Sequence, residues 1–167
     1  MTLPDQNPNP ETFDEGDFGF NLLLSGDWVA DNFDMHEKFG VHEAVDKLDK
    51  EKLRKFVEFR LNFLQEELDE AKKALASHDP KQAEDIVDAM VDLCVVAIGT
   101  LNALQVDAYE AWERVHQANM TKEVGIKASR PNPLGLPDLI KPAGWVGPTH
   151  EDNIGILHRL FDDGDAA

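Results

Sequence analysis

The chain has 167 residues, enough for one domain with a modest hydrophobic core. Hydrophobic residues make up 42% of it, as in an ordinary globular protein, but 33 acids oppose 16 bases, giving a net charge of −17 at pH 7. A surface this acidic repels nucleic acid and anionic membranes, so neither is an expected partner. It also repels phosphorylated molecules, so a polyphosphate would need metal ions or local bases to reverse the sign.

The single cysteine, Cys94, allows no intramolecular disulfide and points to a reducing, cytoplasmic setting. The N-terminal segment lacks a basic start and an apolar run, which argues against a secretory signal. The longest uncharged apolar stretch, Leu93 to Val106, falls short of the ~20 residues that span a bilayer.

In chain order, residues 1–25 are rich in Pro, Asn, Asp and Gly and read as a loose acidic arm that docks through Phe13, Phe18 and Phe20. A helical domain is expected over residues 26–148, and a short helix and tail over 149–167. Within the domain, a short helix is predicted from Trp28 to Phe39, ended by Gly40. A long helix runs from about Leu48 to Ala76, with Leu53, Val57, Leu61, Leu64, Leu68, Ala71 and Leu75 on one stripe. Asp79, Pro80 and Gln82 predict a capping box that opens the next helix, from about Lys81 to Leu104. Asp107 and Glu110 predict another, opening a helix that reaches about Thr121. The Pro- and Gly-rich segment from Gly125 to Pro148 reads as an ordered loop or clamp. A last short helix is predicted from Asp152 to Phe161. With no repeat and no strand ladder in the pattern, the class is all-α.

The placement of the acids is unusual. With Leu64 at zero and about 100° per residue, the aliphatic stripe of the long helix spans roughly −20° to 60°, and Phe56, Phe63 and Ala74 widen it to about −100°. Glu67 falls at about −60°, inside the apolar face; Glu70 lies at its edge, at about −120°, and Glu66 points away, at about −160°. The following helix is apolar in nearly every direction from Ile86 to Leu104, and its only charges there are Asp88 and Asp92. With Asp85, these form a narrow acidic stripe across a helix expected to be mostly buried.

A buried, unpaired carboxylate costs several kcal/mol, so such groups are paired, protonated or metal-bound. Two helices joined by a tight turn pack antiparallel. Counted from His78–Asp79, Glu70 and Asp88 are each about nine residues away, and Glu67 and Asp92 about twelve or thirteen, so the two pairs stand at matching heights at ~1.5 Å per residue. An EExxE run alone is an ordinary solvated helix face; what distinguishes this one is its match to the acids opposite. Four carboxylates converging from two helices suit Mg²⁺ or Mn²⁺ rather than zinc.

This arrangement resembles the all-α nucleoside triphosphate pyrophosphohydrolases, the MazG-like and phosphoribosyl-ATP pyrophosphohydrolase-like proteins. The resemblance rests on Phe33 to Gly40, Arg60 to Leu64 before the Glu66–Glu70 run, Asp88 to Leu93, Gly99-Thr100, and Val115 to Lys122. Lys141-Pro142-Ala143-Gly144-Trp145 resembles a short element that closes such domains. Asp88 and Asp92 stand four apart where much of the group has Glu and then Asp three apart, as in a phage and bacterial subgroup; a phage-encoded chain would work in its host's cytoplasm. This spacing leaves open whether Asp85 is a ligand.

The resemblance implies Mg²⁺-dependent hydrolysis of (deoxy)nucleoside triphosphates to a nucleoside monophosphate and pyrophosphate, with Mn²⁺ able to substitute. Glu67, Glu70, Asp88 and Asp92 are the expected metal ligands, and Glu66 or Glu67 the group that activates water. Phosphate contacts are expected from the locally basic stretch Arg114 to Lys141, through Asn119, Lys122 and Lys141, with Lys127 and Arg130 as weaker candidates. His36, Lys38 and Phe39 border the base or simply pack a helix end. Because a single hairpin cannot cover so apolar a helix as residues 86–104, a homodimer or homotetramer is expected, burying it in a four-helix bundle with a site at each interface. The alternatives are the same chemistry on phosphoribosyl-ATP or a nucleoside diphosphate, or a non-catalytic acidic helical assembly protein.

Overall fold

The structure is a computed structural model that describes residues 26–129, 132–136 and 138–162. The acidic arm and its Phe13, Phe18 and Phe20 lie outside the described residues. Five α-helices dominate, in order α1 (Trp28–Lys38), α2 (Val41–Asp46), α3 (Lys50–Ala76), α4 (Gln82–Ala103) and α5 (Ala108–Met120). Two short strands follow, β1 (Glu123–Gly125) and β2 (Asp138–Ile140), and a 3₁₀ helix spans Gly155–Leu160. The chain is mostly helical, as its sequence predicts.

Local chemistry sets most helix starts. Asp27 caps α1 by accepting from the amides of Val29 and Ala30, both at 3.1 Å, and its other oxygen accepts from the Tyr109 hydroxyl at 2.6 Å. Asp49 caps α3 through the Lys52 amide. Gly40, at φ +68°, turns the chain from α1 into α2, a helix not predicted from the sequence.

The two predicted capping boxes differ from expectation. The Asp79 carboxylate accepts from the Lys81 amide, the Gln82 amide donates to the Asp79 backbone carbonyl, and the Gln82 side chain reaches back to the Leu75 carbonyl. Pro80 and Lys81 form a turn, and α4 starts one residue late. At α5, Asp107 does accept from the Glu110 amide. The return bond is absent because Glu110 binds Arg114, while Asn153 takes the Asp107 amide instead.

α3 and α4 share the most extensive contact in the fold. Arg60 meets Val96 and Thr100, and Gln82 meets Leu75, so position rises on one helix as it falls on the other and the pair is antiparallel. The core lies toward the open end of this hairpin, where Val45, Leu53, Ala103, Leu104, Val106, Ile156 and Leu160 are buried together. The last two belong to the 3₁₀ helix, found where a short helix over 152–161 is predicted. Gly155 makes that docking possible. It has positive φ, a Cβ there would collide with the Leu104 carbonyl, and the same carbonyl accepts from the Ile156 amide at 2.8 Å.

Two expectations about the hairpin faces are corrected. The packed face of α3 includes Leu53, Ala71 and Ala74, with Arg60 and Glu67 half-buried, whereas Leu61, Leu68 and Leu75 of the predicted stripe are exposed. The packed side is therefore the part of the predicted apolar face that holds Glu67, as expected, and not the part that holds those three leucines. α4 is not mostly buried within one chain, because α3 and α1 cover one side only; Val87, Met90 and Val91 are 64%, 45% and 46% exposed. By length and composition, counting Asp88 and Asp92 inside it, α4 could cross a membrane, unlike its uncharged part alone. The expectation of no strands is also overturned: β1 and β2 pair antiparallel, with Glu123 opposite Ile140.

Candidate metal and polyphosphate site

The carboxylates gather on the α3–α4 seam, between the core and the 77–81 turn. Glu67 is half-buried on the packed face of α3. Its proton affinity is raised, first by burial and then by the charges of Asp92, Glu70, Glu66 and Asp88 in that order. Acids from both helices thus act on one side chain. Asp92 is also half-buried, whereas Glu66, Glu70 and Asp88 are exposed. Asp85 is exposed and is not among the acids that perturb Glu67.

These five groups differ from the acid set among them. Asp69 is bound by Lys72 at 2.8 Å and by Gln65 at 2.9 Å, an ordinary surface arrangement. Among the described residues, none of Glu66, Glu67, Glu70, Asp88 and Asp92 is in an ion pair. Equally, no three acidic, His or Cys side chains among the described residues already converge as a metal-ligating group. The donor set is all oxygen, anionic and without counter-charge, which fits a hard divalent cation.

A cationic element that sequence reasoning did not assign lies two turns of α3 from Glu67. The Arg60 guanidinium donates to Thr100 Oγ1 at 2.8 Å and to the Val96 carbonyl at 2.9 Å. Beside it His36 is buried, its ring 5.6 Å from that of His42. Burial, Arg60 and His42 hold the His36 imidazole below its ordinary pKa. Gly99 leaves room for both, since a Cβ there would stand 3.0 Å from the His36 ring and 3.1 Å from Arg60. His36 is thus a packed helix residue, while Lys38 and Phe39 are exposed.

The expected phosphate contacts form a separate cluster. Lys122 Nζ donates to Asn119 Oδ1 at 2.7 Å, and the Lys122 and Lys141 ammoniums lie 5.5 and 4.5 Å from the centre of the Trp145 ring. The structure therefore brings Asn119, Lys122 and Lys141 together. Arg114 is not part of this group: it binds Glu110, Asp152 and the Thr149 carbonyl, and lowers the Asp152 carboxyl to about 2. α5 meets α4 only slightly, and between them opens an apolar cleft of about 1320 Å³ lined by Cys94, Ile98, Leu101, Tyr109, Trp112 and Val115. Among the described residues no hydrogen bond or ion pair joins the lysine cluster to the carboxylates.

An antiparallel helical hairpin with unpaired acids along its seam fits the class of helical nucleotide pyrophosphohydrolases. The sequence model of one family in that class, phosphoribosyl-ATP pyrophosphohydrolase, matches residues 36–119, and the chain belongs to this family, within the MazG-like superfamily. The matched span contains all five acids, Arg60 and Gly99, and stops before Lys122, Lys141 and Trp145. No curated protein and no solved structure gave a match. Membership implies a pyrophosphohydrolase acting on nucleotides.

Proposed function

We propose that the chain hydrolyses nucleoside triphosphates to a nucleoside monophosphate and pyrophosphate, with Mg²⁺ held by Glu67, Glu70, Asp88 and Asp92. The observation that carries this reading is Glu67, half-buried among four other acids that have no ion-pair partner. Bound Mg²⁺ would offset phosphate repulsion and acidify a water molecule. Glu67 and Asp92 form the buried side of the site, and Glu70 and Asp88 close it from the exposed side. Glu66 or Glu67 accepts the proton of the attacking water. Lys122 and Lys141 supply positive charge for the phosphates in a chain that otherwise repels them, and the Asn119 amide adds a hydrogen-bonding group beside them.

The open faces support assembly into a homodimer or a homotetramer. Leu61, Leu68 and Leu75 on α3, and Val87, Met90 and Val91 on α4, are exposed together. A second hairpin would cover them as a four-helix bundle. A bilayer is the poorer cover, because α3 lies along α4 and its outer face carries lysines and glutamates.

Glu70→Gln and Asp88→Asn test the site, since both positions are exposed and neither change should disturb the helices. Each is expected to lower Mg²⁺-dependent pyrophosphate release at least a hundredfold while leaving helical circular dichroism intact. Native-like turnover in either variant, or native turnover that persists in EDTA, would overturn the metal assignment. Phosphoribosyl-ATP is the second reading, supported by the family match itself.

A further inference from the structure

The Trp145 indole sits where two lysines far apart in sequence meet. The β1–β2 register explains the meeting. Glu123 pairs with Ile140, so Lys122 and Lys141 stand opposite each other one step beyond the ladder. Ile140 packs over Gly125, where a Cβ would stand only 2.6 Å from its terminal carbon, so the strands approach closely only because residue 125 is glycine. Like charges directly opposite on antiparallel strands destabilise the pair. Among the described residues neither ammonium is in an ion pair. What they share is the Trp145 ring, with Asn119 Oδ1 as a further acceptor for Lys122.

The indole is itself fixed. Its Nε1–H donates to the Ala118 carbonyl and to Thr121 Oγ1, both at 3.0 Å, at the end of α5. A tight turn with Gly144 at φ +75° carries the chain back, and the Trp145 amide donates to the Pro142 carbonyl at 3.0 Å. One side chain therefore ties the end of α5 to the segment after β2 and holds both ammoniums against its face.

We propose that Trp145 is a positioning residue that sets Lys122 and Lys141 as a two-pronged clamp for a pyrophosphate group, either that of a nucleotide substrate or that of the released product. The proposal deepens the function proposed above and rests on that reading for its biological ligand. The clamp lies outside the span matched by the family model.

The test uses the full chain, inorganic pyrophosphate and EDTA, so that no divalent cation contributes. With ¹⁵N-labelled tryptophan, the indole signals of Trp28, Trp112 and Trp145 are separable, and Trp145→Phe assigns the third. Pyrophosphate is expected to move the Trp145 signal saturably and to leave the other two in place. By calorimetry, Lys122→Gln, Lys141→Gln and Trp145→Ala should each weaken pyrophosphate binding at least fivefold. Trp145→Phe, which keeps a ring, should recover most of the Trp145→Ala loss. A Trp145 signal that moves only as it does with sodium chloride would overturn the clamp. So would native affinity in Lys141→Gln, or equal losses in the Phe and Ala variants. Nucleotide turnover, measured separately, distinguishes the two failures. Turnover with a silent Trp145 removes the clamp alone. Pyrophosphate binding without turnover of any nucleotide removes the proposed function and leaves an anion site.

Discussion

Glu67 on α3 faces Asp92 on α4 across the helix seam, and after its own burial that aspartate is the strongest influence raising the proton affinity of Glu67. The relationship links fold to function, because the packing that buries Glu67 also surrounds it with negative charge.

The first prediction follows from linkage. A folded carboxyl that holds its proton more tightly than the unfolded one favours folding below the unfolded pKa. That contribution is lost as pH rises through the folded pKa. Glu67 shifts upward from an ordinary value of 4.5, so its ionised form opposes folding at pH 7. Without divalent cations, Glu67→Gln should melt about 1–2 °C above the native chain at pH 7, the size expected of a few tenths of a kcal/mol. The difference should vanish as pH falls below 4.5. Added Mg²⁺ should stabilise the native chain and leave the variant unmoved. Differential scanning calorimetry reads all three, and a variant that melts lower than native at pH 7 without metal would contradict the charge crowding.

A second prediction concerns Gly99. Alanine is the better helix former by roughly 0.5–1 kcal/mol, which alone would stabilise α4. Here its methyl group would press on a buried His36 ring and on an Arg60 guanidinium held by two hydrogen bonds. Gly99→Ala should therefore lower stability by about 1–2 kcal/mol, as overpacked sites do. A lower urea midpoint supports the packing described, and a higher one refutes it.

The third prediction concerns assembly. The chain has a mass of 18.7 kDa and leaves Met90 exposed at the middle of the open apolar face of α4. Native protein should sediment as a dimer or tetramer. Met90→Glu should shift it toward 18.7 kDa without loss of helix content. A native chain that sediments as a monomer at micromolar concentration would contradict this reading.

Much of this was legible in the sequence because it is local. Asp107 marks a helix start, and the tight turn after Ala76 makes α3 and α4 antiparallel, so counting outward from it matches acids across the seam. The rest depends on distant pairing. β1 and β2 are three residues each and exist only because one finds the other. The packed face of α3 follows its partners as well as its aliphatic residues, so Leu53 and Ala71 of the aliphatic stripe are buried while Leu61, Leu68 and Leu75 are left exposed. Trp145 shows no periodicity at all, and its contact with both lysines depends on the ladder that sets Lys122 beside Lys141.

The most direct test of the central claim is product identity. The native chain is incubated with each nucleoside triphosphate, each deoxynucleoside triphosphate and phosphoribosyl-ATP, with Mg²⁺ and with EDTA, and the products are resolved by phosphorus NMR. A nucleoside monophosphate with pyrophosphate, formed from at least one triphosphate and only with the metal, is the predicted result. Inorganic phosphate with a diphosphate, or no cleavage of any nucleotide, would contradict it.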